Sequence, residues 1–422
     1  MKGDWKMKRI LRAAISFVLI ICVTVSIFGC SAVGAEDLME GVTARSVEPP
    51  LSLDGGNDAC VDFALRLFLA SEGAGEDNVL ISPLSVMCAL AMTANGANGD
   101  TLVEMEEALG MSIAELNLYL HAYLASLPSG EKYEVSLANS IWFNSDERLT
   151  VNGDFLQVNA DYYGADVYRE PFDRGTKRDI NNWVKNETDG MIPKIIDRIP
   201  SDAVMYLVNA LAFEAEWASV YEKGEVEDGY FISVEGERQR AEFMYAKEHS
   251  YLRDELAEGF LKYYSGGKYA FAALLPNAGV TLAEYLRELD GEGLYSILSS
   301  AESRAVRTSL PKFEVEYGCD MVDAIMSMGI EETFIPYVAD FSALGESAEG
   351  GIHINRVLHK AKIEVGERGT RAGAVTSVEM GDGASGDTPS EIKTVYLDRP
   401  FLYMIIDCEN NAPLFVGVLN KI

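Results

Sequence analysis

From Val204 to Phe213 every residue is apolar except Asn209. A near-continuous run of this kind suits a strand buried on both faces, which must have cover on either side. The 422 residues, 48% hydrophobic and 24% charged, are enough for the large core this requires. Length alone would allow one large domain or two to three smaller ones.

The run's surroundings mix periods. Gly56–Ala70 sets Val61, Ala64, Leu65 and Phe68 at helical spacing, with Cys60 beside them. Ser82-Pro83 opens a second helix, with Pro in the first turn where its missing N–H costs nothing. Thr101–Leu109 predicts a short helix stopped by Gly110. Ile180–Ile196 reads as a helix that breaks at Gly190. Strands are expected over Val135–Phe143, Tyr269–Leu275, Ala305–Leu310, Val357–Val365, Phe401–Ile406 and Leu414–Leu419, the last two joined by a turn at Glu409-Asn410-Asn411-Ala412. Helices come first, then strands with helices interleaved. This is an α+β pattern with large sheets, and no repeat or composition break divides it.

The first thirty residues stand apart. Lys2, Lys6, Lys8, Arg9 and Arg12 precede a mostly apolar run, Ala13–Phe28, that ends at Gly29-Cys30. This is the pattern of an export signal, and the run is shorter than the roughly 20 apolar residues of a spanning helix. The ending is similar to a bacterial lipoprotein signal, in which the Cys is lipidated, although Phe28 is bulkier than that motif usually allows. Residues 1–30 are therefore expected to be a signal ending at a lipid-bearing Cys30, with ordinary cleavage nearby as the alternative. Residues 31–56 are expected to be a tether, with the fold at 57–422. The formal charge is −31, and residues 1–29 hold five basic residues and one acidic one, so the remainder sums to −35. Such a surface repels nucleic acid and anionic lipid. Contact with a membrane is expected only through the lipid at Cys30.

Several chemistries are missing. Cys60, Cys88, Cys319 and Cys408 are scattered with no CxxC pair, so a zinc site is not expected, while a disulfide among them stays open. Cys88 and Cys408 lie in apolar runs and read as small buried hydrophobes. There is no G-x-S-x-G elbow, no HExxH and no glycine-rich phosphate loop, and the four histidines, at 121, 249, 353 and 359, are dispersed. No cofactor, metal or catalytic activity is expected. Asp54-Gly55-Gly56-Asn57-Asp58 lacks the EF-hand spacing and reads as a solvated lead-in.

The segment after His353 is the most informative. Val357, His359, Ala361, Ile363 and Val365 alternate with Leu358, Lys360, Lys362 and Glu364, so the first set faces the core and the lysines face water. Leu358 fits this poorly. A loop should follow, yet Thr370, Ala372, Ala374, Thr376, Val378 and Met380 are all small or apolar, and the charges fall on the intervening set from Arg371 to Glu379. That is a half-buried strand pattern where a loop should be. A plain surface strand before a flexible loop is the alternative reading of the alternation alone. The pattern stops at Gly381, and the tip beyond it is glycine-rich and acidic.

Here the sequence resembles the serpin family. The shared motifs run in the family's order from residue 57 to 422: Asn78-Val79-Leu80-Ile81-Ser82-Pro83-Leu84-Ser85, Ile180-Asn181-Asn182-Trp183-Val184, Thr188-Asp189-Gly190-Met191-Ile192 and Leu207-Val208-Asn209-Ala210. Leu310-Pro311-Lys312-Phe313, Ala339-Asp340-Phe341-Ser342, His359-Lys360-Ala361, Glu367-Arg368-Gly369-Thr370, Asp398-Arg399-Pro400-Phe401 and Leu414-Phe415-Val416-Gly417 complete the set. The resemblance implies the serpin fold: three β-sheets, eight to nine helices and an exposed reactive loop, here about 369–391. It implies a shutter of Ser82, Ser85, Asn209 and His359 beneath the point where the central sheet opens. It also implies a breach of Trp217, Lys312 and Glu367, with the last two as an ion pair, and a hinge of Glu367, Arg368, Gly369, Thr370, Ala372, Gly373, Ala374 and Thr376.

What the resemblance implies about activity is suicide inhibition of an extracellular serine protease by a monomer. The protease attacks the loop as bait, the cut loop inserts as a new strand, and the acyl-enzyme is trapped. The small residues at 370, 372 and 374 agree with this, since a bulky or charged inward side chain would obstruct insertion. Non-inhibitory members (carriers, chaperones, passive substrates) and inhibitors of cysteine proteases are the alternatives. The chain departs from the family in the length of its tip. Counted about sixteen residues on from Glu367, the cut follows Gly383; counted back from Pro400, it lies near Pro389, so the loop is about six residues longer than usual. The candidate bonds are Gly383-Ala384, Ala384-Ser385 and Met380-Gly381. No Lys or Arg lies between Arg371 and Lys393, which points to an elastase-like or subtilisin-like target and away from a trypsin-like one.

Overall fold

The computed structural model describes residues 34–48, 54–72, 77–127, 130, 132–145, 149–200, 203–347, 351–370 and 392–422. Seven strands form its central sheet: β1 (Glu36–Asp37), β2 (Tyr133–Asn144), β3 (Asp166–Glu170), β4 (Met205–Glu216), β5 (Phe313–Asp320), β6 (Arg356–Gly366) and β7 (Gly369–Thr370), in the order β1-β3-β2-β4-β7-β6-β5. A nine-stranded sheet packs behind it, and Leu149–Val151 pairs with Gly345–Ser347 as a third. Nine α-helices lie among the described residues. Three of them matter below: α1 (Asp54–Glu72), α2 (Pro83–Ala94) and α3 (Arg174–Glu187).

The apolar run is β4, and it is covered on both sides. Leu211 and Phe213 pack with Ala361, Ile363 and Val365 of β6 against the nine-stranded sheet. Tyr206, Val208 and Ala210 face the other way, onto Ile180, Trp183 and Val184 of α3 and onto Met191, Ile192 and Ile196. Leu358 belongs to this second cluster and is buried. Its poor fit to a one-sided alternation therefore has a simple cause, because the sheet has two apolar faces here. Lys360 and Lys362 lie on the same side as Leu358, half-buried and tied to Glu316 and Glu314 across the strand pair.

Four expectations need correction. The helix predicted over Ile180–Ile196 spans Arg174–Glu187 instead. Asp173 caps it by accepting from the amides of Gly175 and Thr176, and the chain then turns through Asp189 and Gly190, both at positive φ, so Met191–Ile196 is not helical. The lead-in at Asp54–Asp58 is the first turn of α1, and Asn57 is buried, accepting from the hydroxyl of Tyr119. Cys408 is only half-buried, whereas Cys88 is fully buried, and all four described cysteines are free.

The fourth correction concerns the expected tether, part of which is docked. β1 pairs antiparallel with β3, and the amide of Leu38 donates to the carbonyl of Val167 at 2.9 Å. Arg45 grips Asp161 through its own amide (2.7 Å) and through Nε and Nη2 (2.9 and 2.6 Å). Leu38 and Met39 pack on the core. The physical reason is the outer edge of β3, whose backbone groups would otherwise lack a strand partner. Cys30 and the rest of the expected signal lie outside the described residues.

Candidate functional site

The site is the line along which β4 and β6 meet. Over Tyr206–Leu211 and Arg356–Ala361 the two strands pair in parallel. Above Leu211 they part, and β7 sits between them, antiparallel to both: Thr370 stands opposite Ala215 and Val365, and Gly369 opposite Glu216 and Gly366. The chain leaves β6, turns at Glu367-Arg368 and re-enters the sheet at once. Gly369 has to be glycine, because a Cβ there would run into the carbonyl oxygen of Ala215.

Three predicted residues, and several that sequence reasoning missed, hold this turn. The amide of Trp217 donates to the carbonyl of Arg368 (2.8 Å), and its indole Nε1 donates to the carbonyl of Gly366 (2.9 Å). The amide of Tyr221 donates to the carbonyl of Glu367 (3.0 Å). Lys312 pairs with Glu367 and with Glu242, the latter at 3.1 Å. Burial works against the Lys312 ammonium, but the two carboxylates outweigh it and raise its pKa, while Lys312 lowers that of Glu367. Glu367 is 43% exposed, so this pair contributes less than about 1 kcal/mol. Beneath the turn, Trp217 stacks on Tyr264, with ring centroids 4.3 Å apart. Lys262 is buried, bound to Glu248 (2.9 Å) and to the carbonyl of Ser219 (3.1 Å), with its ammonium 4.2 Å from the Tyr221 ring centroid. Neither Tyr264 nor Lys262 carried a local signal, since Lys262 lies within the strand Ala257–Tyr263 and Tyr264 just after it, and both meet the turn only through tertiary packing.

Lower down, the four predicted polar residues come together. Asn209 and His359 are register partners on β4 and β6, and Ser82 is the residue just before α2, below them. His359 Nε2 accepts from the amide of Ser82 (3.1 Å), so its proton sits on Nδ1, which donates to Asn209 Oδ1 (2.8 Å). The Ser85 hydroxyl lies 3.1 Å from the same Oδ1 and 3.0 Å from the carbonyl of Ser82. Burial pulls the His359 pKa down to about 3, so the ring is neutral and structural. Asn209 Nδ2 and Ser82 Oγ are buried without partners among the described residues. Ala372, Gly373, Ala374, Thr376 and the candidate cut sites Met380, Gly381, Gly383, Ala384 and Ser385 lie outside the described residues.

With this geometry in view, comparison with known proteins is direct. A family model described as Serpin (serine protease inhibitor) matches residues 58–422. Iripin-2 of Ixodes ricinus is 29% identical over 377 residues, 85% of this chain and 92% of that protein. Antithrombin-III of Homo sapiens is 28% identical over 368 residues, 83% and 77% of the two chains. Leukocyte elastase inhibitor of Bos taurus is 28% identical over 379 residues, 85% and 97%. Among solved structures, a thermophilic serpin, tengpin, in its native state shares 44% identity over 92% of this chain and all of that one, with a TM-score of 0.87. Its latent state gives 0.77 over 90% of this chain and all of that one, also at 44% identity. The chain belongs to the serpin family, a family of protease inhibitors and not of enzymes.

Proposed function

We propose that this protein is a suicide inhibitor of extracellular serine proteases that inserts its cleaved loop between β4 and β6. One observation carries the reading: β7 is already antiparallel between two strands that pair in parallel below it. Extending the same registers sets Ala372 opposite Phe213 and Ile363, Ala374 opposite Leu211 and Ala361, and Thr376 opposite Asn209 and His359. The small residues then meet the core face. On the other face, Arg371 would come between Glu214 and Glu364, and Glu379 would reach Arg356. Above Leu211 the inserted residues would fill the gap between the parted strands, and along Tyr206–Leu211 two antiparallel pairings would replace one parallel one, which supplies the driving force.

The chemistry before insertion belongs to the protease. Its serine oxygen attacks a loop carbonyl, the amide C–N bond breaks, and the new amine leaves on the C-terminal piece. That piece stays anchored through Lys393–Tyr396, which pairs with Glu302–Pro311 in the second sheet. The ester-linked protease travels with the inserting strand, its active site is distorted, and hydrolysis of the ester stalls. The target class follows from the loop's lack of basic residues, and one relative is itself named an elastase inhibitor. Incubation with a protease panel is expected to give denaturant-resistant complexes with pancreatic elastase or subtilisin and none with trypsin. Complexes with trypsin alone would reverse the target assignment. Loop cutting without any complex, and without a gain in heat stability, would favour a non-inhibitory member.

Export with a lipid at Cys30 is part of the same proposal, resting on the basic head and apolar run before it. Cys30→Ala is expected to move the protein from the membrane fraction to the soluble exported fraction. Unchanged membrane retention would remove the anchor from the reading.

A further inference from the structure

Thr370 is the first of the small inward residues, and it is already buried in the sheet. Its hydroxyl lies 2.5 Å from that of Tyr264. Tyr264 follows the strand Ala257–Tyr263 of the nine-stranded sheet, so this contact joins the two layers of the protein. The Tyr264 ring is immobilised on both sides, stacked on Trp217 and edge-on to Phe213 with centroids 5.1 Å apart. Burial holds its phenol neutral, so the hydroxyl keeps its proton. The backbone at Trp217 meanwhile fixes the turn from Gly366 to Arg368. Side chain and backbone together leave Thr370 one place to go.

We propose that Tyr264 is the positioning residue for loop insertion. By holding Thr370 between β4 and β6, it makes the first rung of the new strand before any cut. Insertion then elongates an existing pairing and does not have to nucleate one. This rests on the inhibitor reading above, in which insertion races hydrolysis of the acyl-enzyme. Losing the rung slows insertion without altering attack on the bait.

The test compares Tyr264→Phe with Tyr285→Phe in the full chain. Tyr285 is equally buried and donates to Asp254 (2.9 Å), but it lies on the separate helix Leu282–Glu288, so it controls for loss of a buried tyrosine hydroxyl bond. With elastase or subtilisin, Tyr264→Phe is expected to raise the number of inhibitor molecules consumed per protease trapped by about fivefold, the factor expected for one buried hydrogen bond. The rate of the first cut is expected to stay within about twofold, while Tyr285→Phe leaves the consumption ratio unchanged. Thr370→Val should match Tyr264→Phe, and the double variant should be no worse than either. Equal ratios for the two tyrosine variants, or a ratio that falls in Tyr264→Phe, would overturn the proposal. A second readout separates the two claims: the rate at which the cut chain gains heat stability. If no protease is trapped but that rate slows in Tyr264→Phe alone, the inhibitor reading fails and the positioning role stands. If it does not slow, the positioning role fails.

Discussion

Ala372→Arg is expected to turn the proposed inhibitor into a substrate. On the proposed insertion, the register of Thr370 against Ala215 and Val365 would bring residue 372 opposite Phe213 and Ile363, both buried in the cluster between the two large sheets. A guanidinium entering there would lose its water and meet no carboxylate, at a cost on the order of 3–5 kcal/mol. Insertion slows by more than about a hundredfold on that scale, and the acyl-enzyme is hydrolysed first. The uncut protein should melt as the wild type does, because residue 372 comes after β7. Gel analysis after incubation with elastase or subtilisin should show cleaved chain and active protease in place of covalent complex. Complexes at wild-type yield would refute the register and the insertion mechanism together.

The second large effect is acid sensitivity at His359. Its folded pKa, about 3, lies below the ordinary value of 6.5. The unfolded chain therefore binds more protons between these two values, and linkage makes stability fall as pH drops through that window. The contribution is fully present above about 6.5. Protonation would also place a second N–H against the amide of Ser82, breaking the contact that joins the sheet to α2. Glu170, buried and pushed up to about 7, acts in the opposite direction, binding its proton more readily when folded. The effect must therefore be read as a difference. His359→Gln is expected to lose about 1–3 kcal/mol at neutral pH and to show a shallower loss than wild type between pH 6 and 4 in urea titrations. Parallel curves would show that His359 does not carry the acid response.

Much of the fold was legible because the strongest signals were local. The apolar run that became β4, the alternation that became β6 and the caps at Ser82-Pro83 and Gly110 each report their own backbone geometry. Other elements left no such mark. The strand Arg238–Arg253 is rich in charge and exists because three neighbours pair with it, and β1 exists because β3 had a free edge. α3 was misplaced by six residues at its start because its first turns are polar and only its cap marks them. At the site, Trp217, Lys312, Glu367 and the Ser82–His359 cluster were found through the family's motifs. Tyr264, Tyr221 and Lys262 were not, since Lys262 and Tyr264 reach the turn from the nine-stranded sheet and its end and Tyr221 from the connector after β4, through tertiary packing alone.

The near-continuous apolar run and the strand-like alternation after Thr370 are properties of consecutive residues, so the amino-acid order alone determined that one strand is buried on both faces and supplied the alternation on which the proposed insertion rests. Where that loop can go is not a local property. It depends on β4 and β6 being parallel neighbours that part above Leu211, and on Thr370 already occupying the gap opposite Ala215 and Val365. Those contacts join residues about 150 positions apart, and hydrogen-bond register across such a separation is set only when the layers pack.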